Sequence, residues 1–474
     1  MSIQQRGAKA LFDFQDRREA KLGIHFKAAL LPDGWKNNVR LEFEEGRIST
    51  LAERAAPSPG DERFEVGLAG MPNLHSHSFQ RAMAGLAEYA GAGPDSFWTW
   101  RDLMYRLANK VMPDELEAIA AQAFVEMLEA GFTHVGEFHY LHHDAGGRHY
   151  GDFAEMSNRI IAAAERTGIG LTLLPVLYMR SGFDALDVRD DQRRFFNDLD
   201  SYARLAEGAR THLSQVPGAV LGFAAHSLRA VPEDALRQAW GAVDAEAPIH
   251  IHIAEQTAEV NDCIAATGQR PVERLLSEFE VDSRWCLVHG THVDRSEVDA
   301  IAASRACVGL CPITEANLGD GIFPARQFAE VGGRYGVGSD SNVRIDMSEE
   351  LRLLEYGQRL QLQARNVLSS SDSGSTGRTL YSAAFQGGSA ALGIEPAGIA
   401  VGGRADLVSL RLNHLDLDGR QGDALLDSFV FANKADMIDT VWRNGRKRVA
   451  DGRHVSRAEV GSGYRRALAS LLER

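Results

Sequence analysis

Gly70-Met-Pro-Asn-Leu-His-Ser-His77 is a short, mostly apolar stretch that ends in two histidines separated by one residue. Side chains two positions apart on a β-strand point to the same face, so on a strand both histidines could bind one ion. The pair alone is weak evidence, because 16 His in 474 residues give about 0.5 such pairs by chance. Its weight therefore depends on whether similar stretches recur along the chain.

Similar apolar stretches do recur, and long amphipathic segments such as Asp114–Glu129 and Phe153–Thr167 lie between them. Strands that are apolar on both faces and alternate with helices indicate a parallel sheet that is covered on both sides. Eight such units in about 320 residues predict an α/β fold, a (β/α)8 TIM barrel, rather than an open doubly wound sheet. The eight predicted strands are Gly70–His77, His134–Tyr140, Leu171–Tyr178, Val220–Ser227, Pro248–Glu255, Trp285–His292, Cys307–Thr314 and Arg334–Asn342.

The segments on either side of this region have short apolar runs separated by turns, which is typical of small antiparallel strands. Asp406–Leu410 and Ile438–Arg443 are examples near the C-terminus. We expect the two chain ends to build one small β-sandwich domain beside the barrel. The predicted division is 1–68 for the N-terminal part of the sandwich, 69–389 for the catalytic barrel, and 390–474 for the C-terminal part with a tail helix. The Ser/Gly-rich run Leu368–Gly377 is predicted to be a mobile loop.

The composition limits the classes of partner. Hydrophobic residues make up 44% of the chain and charged residues 24%, as in ordinary globular proteins. The net charge of −14 argues against a nucleic-acid partner, and an anionic substrate would need locally placed arginines. No run reaches the roughly 18 apolar residues of a membrane span, and the N-terminus does not resemble a signal peptide. We therefore predict a cytoplasmic protein without a membrane partner.

The four cysteines are few and irregularly spaced, which fits a reducing compartment. Cys307 and Cys311 would lie roughly 13 Å apart on a strand, too far for a disulfide. We predict that all four cysteines, Cys263, Cys286, Cys307 and Cys311, are packing residues.

Candidate metal ligands stand at the ends of three predicted strands, where barrel enzymes carry their reacting groups. These are His75, His77, His252 and Asp340. Three imidazoles and one carboxylate suit a single Zn²⁺ or Fe²⁺ ion, with zinc favoured and a water molecule completing the coordination. For Asp340 a competing interpretation is the N-cap of the following helix. His250 points to the same face as His252 but deeper, and we expect it to be a hydrogen-bonded core residue.

Glu255 and His289 are the candidate proton-transfer residues, together with Asp340. A glutamate three residues after a metal ligand leaves the strand and can protonate a departing nitrogen. Hydrolysis of a C=N carbon with release of ammonia needs such a group, whereas peptidase-like or phosphatase-like barrels do not. His289 and Asp340 would polarise the attacking water. The alternative for Glu255 is a residue at a helix start, favoured by the helix dipole.

Several segments resemble the formimidoylglutamate deiminases (N-formimino-L-glutamate iminohydrolases) of the amidohydrolase superfamily. The resemblance covers nearly the whole chain after residue 25. The barrel segments are specific to the superfamily, and Phe79–Gly85 with Phe97–Tyr105 narrows the match to the deiminases. The segments are Gly70–Glu88, Phe97–Tyr105, His250–Glu255, Gly338–Asn342 and Gly402–Val408.

The resemblance implies hydrolysis of N-formimino-L-glutamate, from histidine degradation, to N-formyl-L-glutamate and ammonia. It also implies a homodimer and one divalent metal ion. Two substrate carboxylates call for arginines, whose planar guanidinium group matches a carboxylate bidentately. By the same resemblance the substrate contacts are Gln80, Arg101, Tyr140, His226 and Arg229.

Two other functions remain open at this point. A ring deaminase of the same superfamily, acting on guanine, a pterin or a triazine, would keep the metal and Glu255 but not two converging arginines. A metal-free scaffold protein would keep the barrel for assembly, and the presence of all four candidate ligands argues against it.

Overall fold

The computed structural model describes residues 23–89, 97–183, 187–240, 244–411, 413–434 and 436–474. Within these residues the strands form two sheets, one from the two chain ends and one from the middle of the chain. In chain order the strands are β1 Gly23–Leu31, β2 Gly34–Glu44, β3 Arg47–Ala52, β4 Glu62–Ala69, β5 Met71–Ser76, β6 Phe132–His139, β7 Gly170–Leu177, β8 Val220–Leu221, β9 Phe223–Ala225, β10 Ile249–Ile253, β11 Trp285–His289, β12 Cys307–Leu310, β13 Arg334–Val337, β14 Leu407–Leu410, β15 Ile438–Arg443, β16 Arg446–Ala450 and β17 Arg453–His454.

The α-helices mostly follow the strands of the second sheet. No helix in the described part of the chain has both the length and the apolar character that a bilayer crossing requires. The helices are α1 Phe97–Ala108, α2 Pro113–Glu129, α3 Glu155–Thr167, α4 Leu199–Leu213, α5 Glu233–Trp240, α6 Thr257–Thr267, α7 Pro271–Glu278, α8 Arg295–Ser304, α9 Pro312–Leu318, α10 Ala325–Glu330, α11 Met347–Leu362, α12 Thr376–Ala391, α13 Asp423–Ala432 and α14 Arg457–Glu473.

The strands β5 to β13 are parallel and follow one another in chain order around a barrel. β8 and β9 together form the interrupted fourth strand, so the barrel has the predicted eight strand positions. The first strand and the segment after the last are joined by two backbone hydrogen bonds. The Asp340 amide donates to the His75 carbonyl over 3.0 Å, and the His77 amide donates to the Asp340 carbonyl over 2.9 Å. The predicted (β/α)8 barrel is therefore confirmed.

The chain ends build the second sheet, as predicted. Its strand order is β17-β16-β15-β14-β4-β1-β2-β3, so the N-terminal and C-terminal parts meet where β4 pairs with β14. β1 and β4 are parallel, and the other neighbours are antiparallel. The strands form one continuous sheet with an apolar core of its own, which includes Phe26, Leu41 and Trp442.

The predicted strands are correct in place but often too long at their C-terminal ends. The predicted strand 307–314 is the clearest error, because β12 ends at Leu310 and Pro312 begins α9. Proline is favoured at the first position of a helix and cannot donate to a sheet, which explains the early end. His289, the last residue of β11, has a φ of 69°, a left-handed conformation that ends a strand. β13 ends at Val337, before Asp340 and Asn342 adopt φ values of 42° and 55°.

All four cysteines are buried and free, so the prediction that they are packing residues is confirmed. The predicted loop 368–377 is also too long, because Thr376 and Gly377 already belong to α12. The domain limits at 68/69 and 389/390 and the mobility of this loop stay predictions. Part of the N-terminal stretch, residues 1–22, lies outside the described residues.

The glycines of α12 allow the helix backbone to lie directly against the barrel. A Cβ atom added to Gly387 would stand 1.9 Å from the Tyr335 carbonyl oxygen, and one on Gly388 would stand 2.8 Å from Pro72 Cγ. Glycine inside a helix is unfavourable by about 1 kcal/mol relative to alanine, so its presence here requires a packing reason. That reason is the close approach of α12 to β13 and β5.

We predict that Gly387→Ala lowers the free energy of unfolding by about 1–3 kcal/mol, because overpacking outweighs the gain in helix propensity. Gly357→Ala in α11 is the matched control, since its Cβ would stand 3.6 Å from the nearest atom, Ile322 Cγ2. The control should be as stable as the wild type or up to about 1 kcal/mol more stable. Thermal unfolding of the three proteins measures both effects, and a Gly387→Ala variant that melts no lower than the control contradicts the prediction.

Candidate active site

Four side chains from three parts of the barrel converge at its C-terminal end. The Nε2 atom of His75 lies 3.2 Å from Nε2 of His77 and 3.1 Å from Nε2 of His252. The Asp340 Oδ1 atom lies 3.5 Å from His75 Nε2 and 3.3 Å from His77 Nε2. Four tetrahedral ligands at metal distances of about 2.0–2.2 Å stand roughly 3.3–3.6 Å apart. The spacing of the predicted ligands therefore fits one divalent transition-metal ion.

The surroundings of the imidazoles keep them in the form that binds a cation. His77 Nδ1 lies 2.9 Å from the Phe138 carbonyl, and His252 Nδ1 lies 3.0 Å from the His226 carbonyl. Such carbonyls hold the proton on Nδ1 and leave the Nε2 lone pair free for the metal. Burial lowers the pKa of His75 to about 3 and also lowers the pKa values of His77 and His252. Neutral imidazoles at neutral pH are what metal binding requires.

Asp340 supplies the negative charge of this set. Burial alone would raise the pKa of its carboxyl group, but the hydrogen bond to His75 and the nearby histidines hold it below its usual range. The competing interpretation of Asp340 as a helix N-cap is wrong. The next helix, α11, begins at Met347, and its N-cap is Asp346, which accepts a hydrogen bond from the Glu349 amide.

The predicted proton-transfer residues stand beside this cluster. His289 Nε2 lies 3.8 Å from Glu255 Oε1 and 3.9 Å from Asp340 Oδ2. Burial raises the pKa of Glu255 to about 7, although His289 acts in the opposite direction. A carboxyl group with a pKa near the working pH is suited to take up and release protons during turnover. Burial alone would lower the pKa of His289, but Glu255, Glu315 and Asp340 raise it to about 10.

A cavity opens over the cluster, and all five predicted substrate contacts line it. Arg101 comes from α1 and Arg229 from the loop after β9, yet both guanidinium groups approach the same Trp98 ring, at 4.4 Å and 5.9 Å from its centroid. The Gln80 side-chain amide donates to the Tyr140 hydroxyl over 2.8 Å. The wall also contains aromatic residues of α1. The lining includes Gln80, Phe97, Trp100, Arg101, Tyr105, Tyr140, His226, Arg229, Glu255 and Glu259.

His250 does not belong to the cluster. Its Nε2 atom lies 2.7 Å from the Ala391 carbonyl, which confirms the expected hydrogen-bonded core histidine. β10 thus carries one candidate metal ligand, His252, and one core histidine, His250.

Sequence reasoning missed three buried carboxyl groups next to Glu255 and His289. Glu315 Oε1 lies 3.2 Å from His289 Nδ1 and accepts the Cys311 amide over 2.9 Å. A carboxylate oxygen of Asp320 lies within 4.8 Å of ligand atoms of Glu255 and His289. Glu259 accepts the amides of Ala254 and Glu255. Glu259 follows β10, the strand that carries His252, and its position was a signal that sequence reasoning could have used. Glu315 and Asp320 follow β12, where no site residue was predicted, so only their place after a barrel strand could have indicated them.

Comparison with known proteins gives the family. A family model described as the amidohydrolase family matches residues 66–448. The chain belongs to the amidohydrolase family. Residues 22–65 match a second model, described as the N-terminal domain of formimidoylglutamate deiminase HutF. The resemblance to this group of amidohydrolases is thereby confirmed.

Individual relatives agree with this placement. The formimidoylglutamate deiminase of Pseudomonas aeruginosa is 49% identical over 451 residues, which is 95% of this chain and 99% of the relative. The crystal structure of an amidohydrolase from Brucella melitensis superposes with a TM-score of 0.92 at 50% identity, covering 95% of this chain and 100% of that one. A 5-methylthioadenosine/S-adenosylhomocysteine deaminase of Natronomonas pharaonis is 27% identical over 387 residues, 79% of this chain and 80% of the relative.

The two histidines of β10 provide a test of the metal site. We predict that His252→Gln lowers the affinity for a divalent metal at least about tenfold, since loss of even an outer partner of a ligand costs that much. His250→Gln should keep the metal, because His250 makes only a core hydrogen bond. Metal analysis of both variants after dialysis against a weak chelator measures the difference. Equal metal content in the two variants would show that the ion does not bind at His252.

Proposed function

We propose that this amidohydrolase hydrolyses N-formimino-L-glutamate to N-formyl-L-glutamate and ammonia. One observation carries the proposal: two arginines from separate elements line the same cavity as the candidate metal ligands and the partly buried Glu255. This arrangement suits a substrate with a formimino carbon at one end and two carboxylates at the other. The relative with 49% identity over 95% of the chain, a formimidoylglutamate deiminase, supports the same substrate.

We propose zinc as the metal, held by His75, His77, His252 and Asp340, with Fe²⁺ as the alternative. Imidazole nitrogens and carboxylate oxygens are ligands that zinc accepts, and a catalytic zinc ion can expand to five ligands when water binds. A divalent cation bound there supplies a Lewis acid that makes a water molecule acidic near neutral pH.

The protein's own groups handle the protons. His289 and Asp340 accept the proton of the attacking water, and Glu255 delivers protons to the departing nitrogen. The pKa of Glu255, raised to about 7 by burial, allows it to both gain and lose a proton near neutrality. Addition of water to the formimino carbon followed by loss of the protonated nitrogen gives the formyl product and ammonia.

The substrate is held by its carboxylates. Arg101 and Arg229 line the cavity, and we expect them to bind the carboxylates bidentately. We expect Gln80, Tyr140 and His226, which also line the cavity, to add hydrogen bonds. Burial lowers the pKa of His226, so its imidazole is neutral and can act as a donor or an acceptor. The substrate is the small anionic partner predicted from sequence. The homodimer and the cytoplasmic location stay predictions.

A ring deaminase is the weaker alternative. It would explain the metal ligands and Glu255, but it gives no role to two arginines facing the same cavity. Two relatives whose names give purine substrates, a 5-methylthioadenosine/S-adenosylhomocysteine deaminase and an 8-oxoguanine deaminase, are 27% and 26% identical.

The direct test is release of ammonia from N-formimino-L-glutamate by metal-loaded protein, with guanine as the ring substrate in a parallel assay. We expect turnover of the formimino compound at a kcat of about 1–10³ s⁻¹, the usual range of enzymes, and none of guanine. Turnover of guanine without turnover of N-formimino-L-glutamate would favour the ring deaminase.

Glu255→Gln tests the proton-transfer role. The substitution keeps the shape of the side chain but removes its ability to carry a proton, so kcat should fall by roughly 10² or more. Metal content should not change, because Glu255 is not among the proposed ligands. Near-normal turnover with a full complement of metal would remove Glu255 from the mechanism.

A further inference from the structure

The backbone that carries Glu255 is strained. β10 ends at Ile253, and Ala254 then adopts φ = +52°, a left-handed conformation that alanine rarely takes. This turn takes the chain out of the strand direction and places Glu255 at the cavity. A strained residue at this position persists only where its surroundings hold it.

Glu259 holds the backbone of this turn from one side. It is the third residue of α6, and its side chain is buried, with 4% of its surface exposed. Oε1 accepts the Ala254 amide over 3.3 Å, and Oε2 accepts the Glu255 amide over 3.1 Å. On the opposite side, the Ala254 carbonyl accepts the His292 amide over 3.0 Å. Both oxygens of Glu259 are therefore used on the two peptide groups of the strained turn.

The position of Glu259 in its helix makes this arrangement unusual. A glutamate at this helix position often accepts the amide of the N-cap residue, here Gln256, in a capping box. Glu259 instead reaches further back, to the two residues that precede the N-cap. Burial raises the pKa of Glu259, while Arg229 and the two amide hydrogen bonds act in the opposite direction. The positive end of the helix dipole also favours the ionised form.

Glu259 also faces the substrate side. It lines the same cavity as Arg229 and Glu255. Among the described residues, no carboxylate lies within 4.0 Å of Arg229, so its guanidinium group remains available for a substrate carboxylate. Burial alone would lower the pKa of Arg229, and Glu259 is the largest influence that raises it. Glu259 thus balances the charge of Arg229 from a distance without occupying its hydrogen bonds.

We infer that Glu259 is a positioning residue that aims Glu255 at the reacting nitrogen and moderates the hold of Arg229 on anionic substrate and product. The inference rests on the proposed function. The Glu259 carboxylate then acts at both ends of the substrate. At one end it positions Glu255 through two backbone amides, and at the other it offsets the positive charge of Arg229, which binds a substrate carboxylate.

Glu259→Gln separates these roles from a merely structural one. The amide nitrogen of glutamine cannot accept a hydrogen bond, so one peptide group of the turn is released and Glu255 is misplaced. A misplacement of about 1 Å can cost 10²-fold in rate, and we expect kcat to fall at least tenfold. Loss of the negative charge near the substrate should leave the KM and the inhibition constant of N-formyl-L-glutamate unchanged or lower. A rise of both constants together with the fall in kcat would indicate a loosened site and overturn the inference.

Glu297→Gln is the matched control. Glu297 is also the third residue of its helix and is buried, and its oxygens accept the amides of Asp294 over 2.9 Å and Glu273 over 3.3 Å. It lies outside the residues that line the cavity. We expect this variant to keep its kcat, even if it melts at a lower temperature. A kcat as low as that of Glu259→Gln would reduce Glu259 to a structural residue.

Ala254→Gly provides a rescue. Glycine adopts positive φ without strain, so in the Glu259→Gln background it should restore part of the lost kcat. No gain in the double variant would show that Glu259 does not act by holding the left-handed turn.

Amide hydrogen exchange gives a readout that does not depend on the substrate. In Glu259→Gln the peptide that contains residues 254 and 255 should exchange at least tenfold faster than in the wild type, while metal content stays the same. Unchanged exchange overturns the positioning role. Failure of the wild type to release ammonia from N-formimino-L-glutamate would instead count against the proposed function, so the two failures are distinguishable.

Discussion

The two backbone hydrogen bonds that close the barrel also build its candidate metal site. They join His75 and His77 of the first strand to Asp340 after the last strand, so closing the barrel brings three of the four candidate ligands together. Side chains of the same segments reinforce the closure. The Asn73 amide donates to Ser339 Oγ over 2.7 Å, and the Asn342 amide donates to the His77 carbonyl over 3.1 Å. Because a closed barrel has no free edge, the spacing of these ligands is set by the whole sheet rather than by local loops.

Burial of ionisable groups is the second constraint. Asp340 is buried within the cluster, and the buried His289 and the partly buried Glu255 lie beside it, with further carboxyl groups on Glu259, Glu315 and Asp320. In such surroundings charges interact strongly, and each group depends on its neighbours for its protonation state. A divalent cation and the two arginines would offset the negative charge. The site therefore combines positive charge, from the metal ion and the two arginines, with acidic groups close to where the nitrogen would depart.

Much of the fold could be predicted because the apolar and amphipathic patterns that indicate strands and helices are local in the sequence. The eight barrel strands appear in the sequence as apolar stretches between amphipathic helices, and each of them is present. Their ends were predicted less well, because β12 stops just before Pro312 begins a helix and β11 stops at His289, which takes a positive φ. The apolar pattern continues past those points, and nothing in it marks the change of direction. Likewise, the pattern predicted a sandwich of strands from both chain ends but not that β4 and β14 join them into one continuous sheet.

The sequence by itself determined the residue types of the candidate site: the histidine pair at the end of β5, His252 in β10 with Glu255 just after it, and the arginines predicted to contact substrate. These assignments rest on the spacing of residues along the chain and on resemblance to a family, and both can be read from the sequence without the fold. Only the tertiary structure decided that Arg101 and Arg229 approach one indole ring, that Asp340 faces the histidines rather than capping a helix, and that Glu259 holds the turn before Glu255. These contacts depend on how far the chain turns at each strand end and on which strands become neighbours, and both are settled only when the barrel closes.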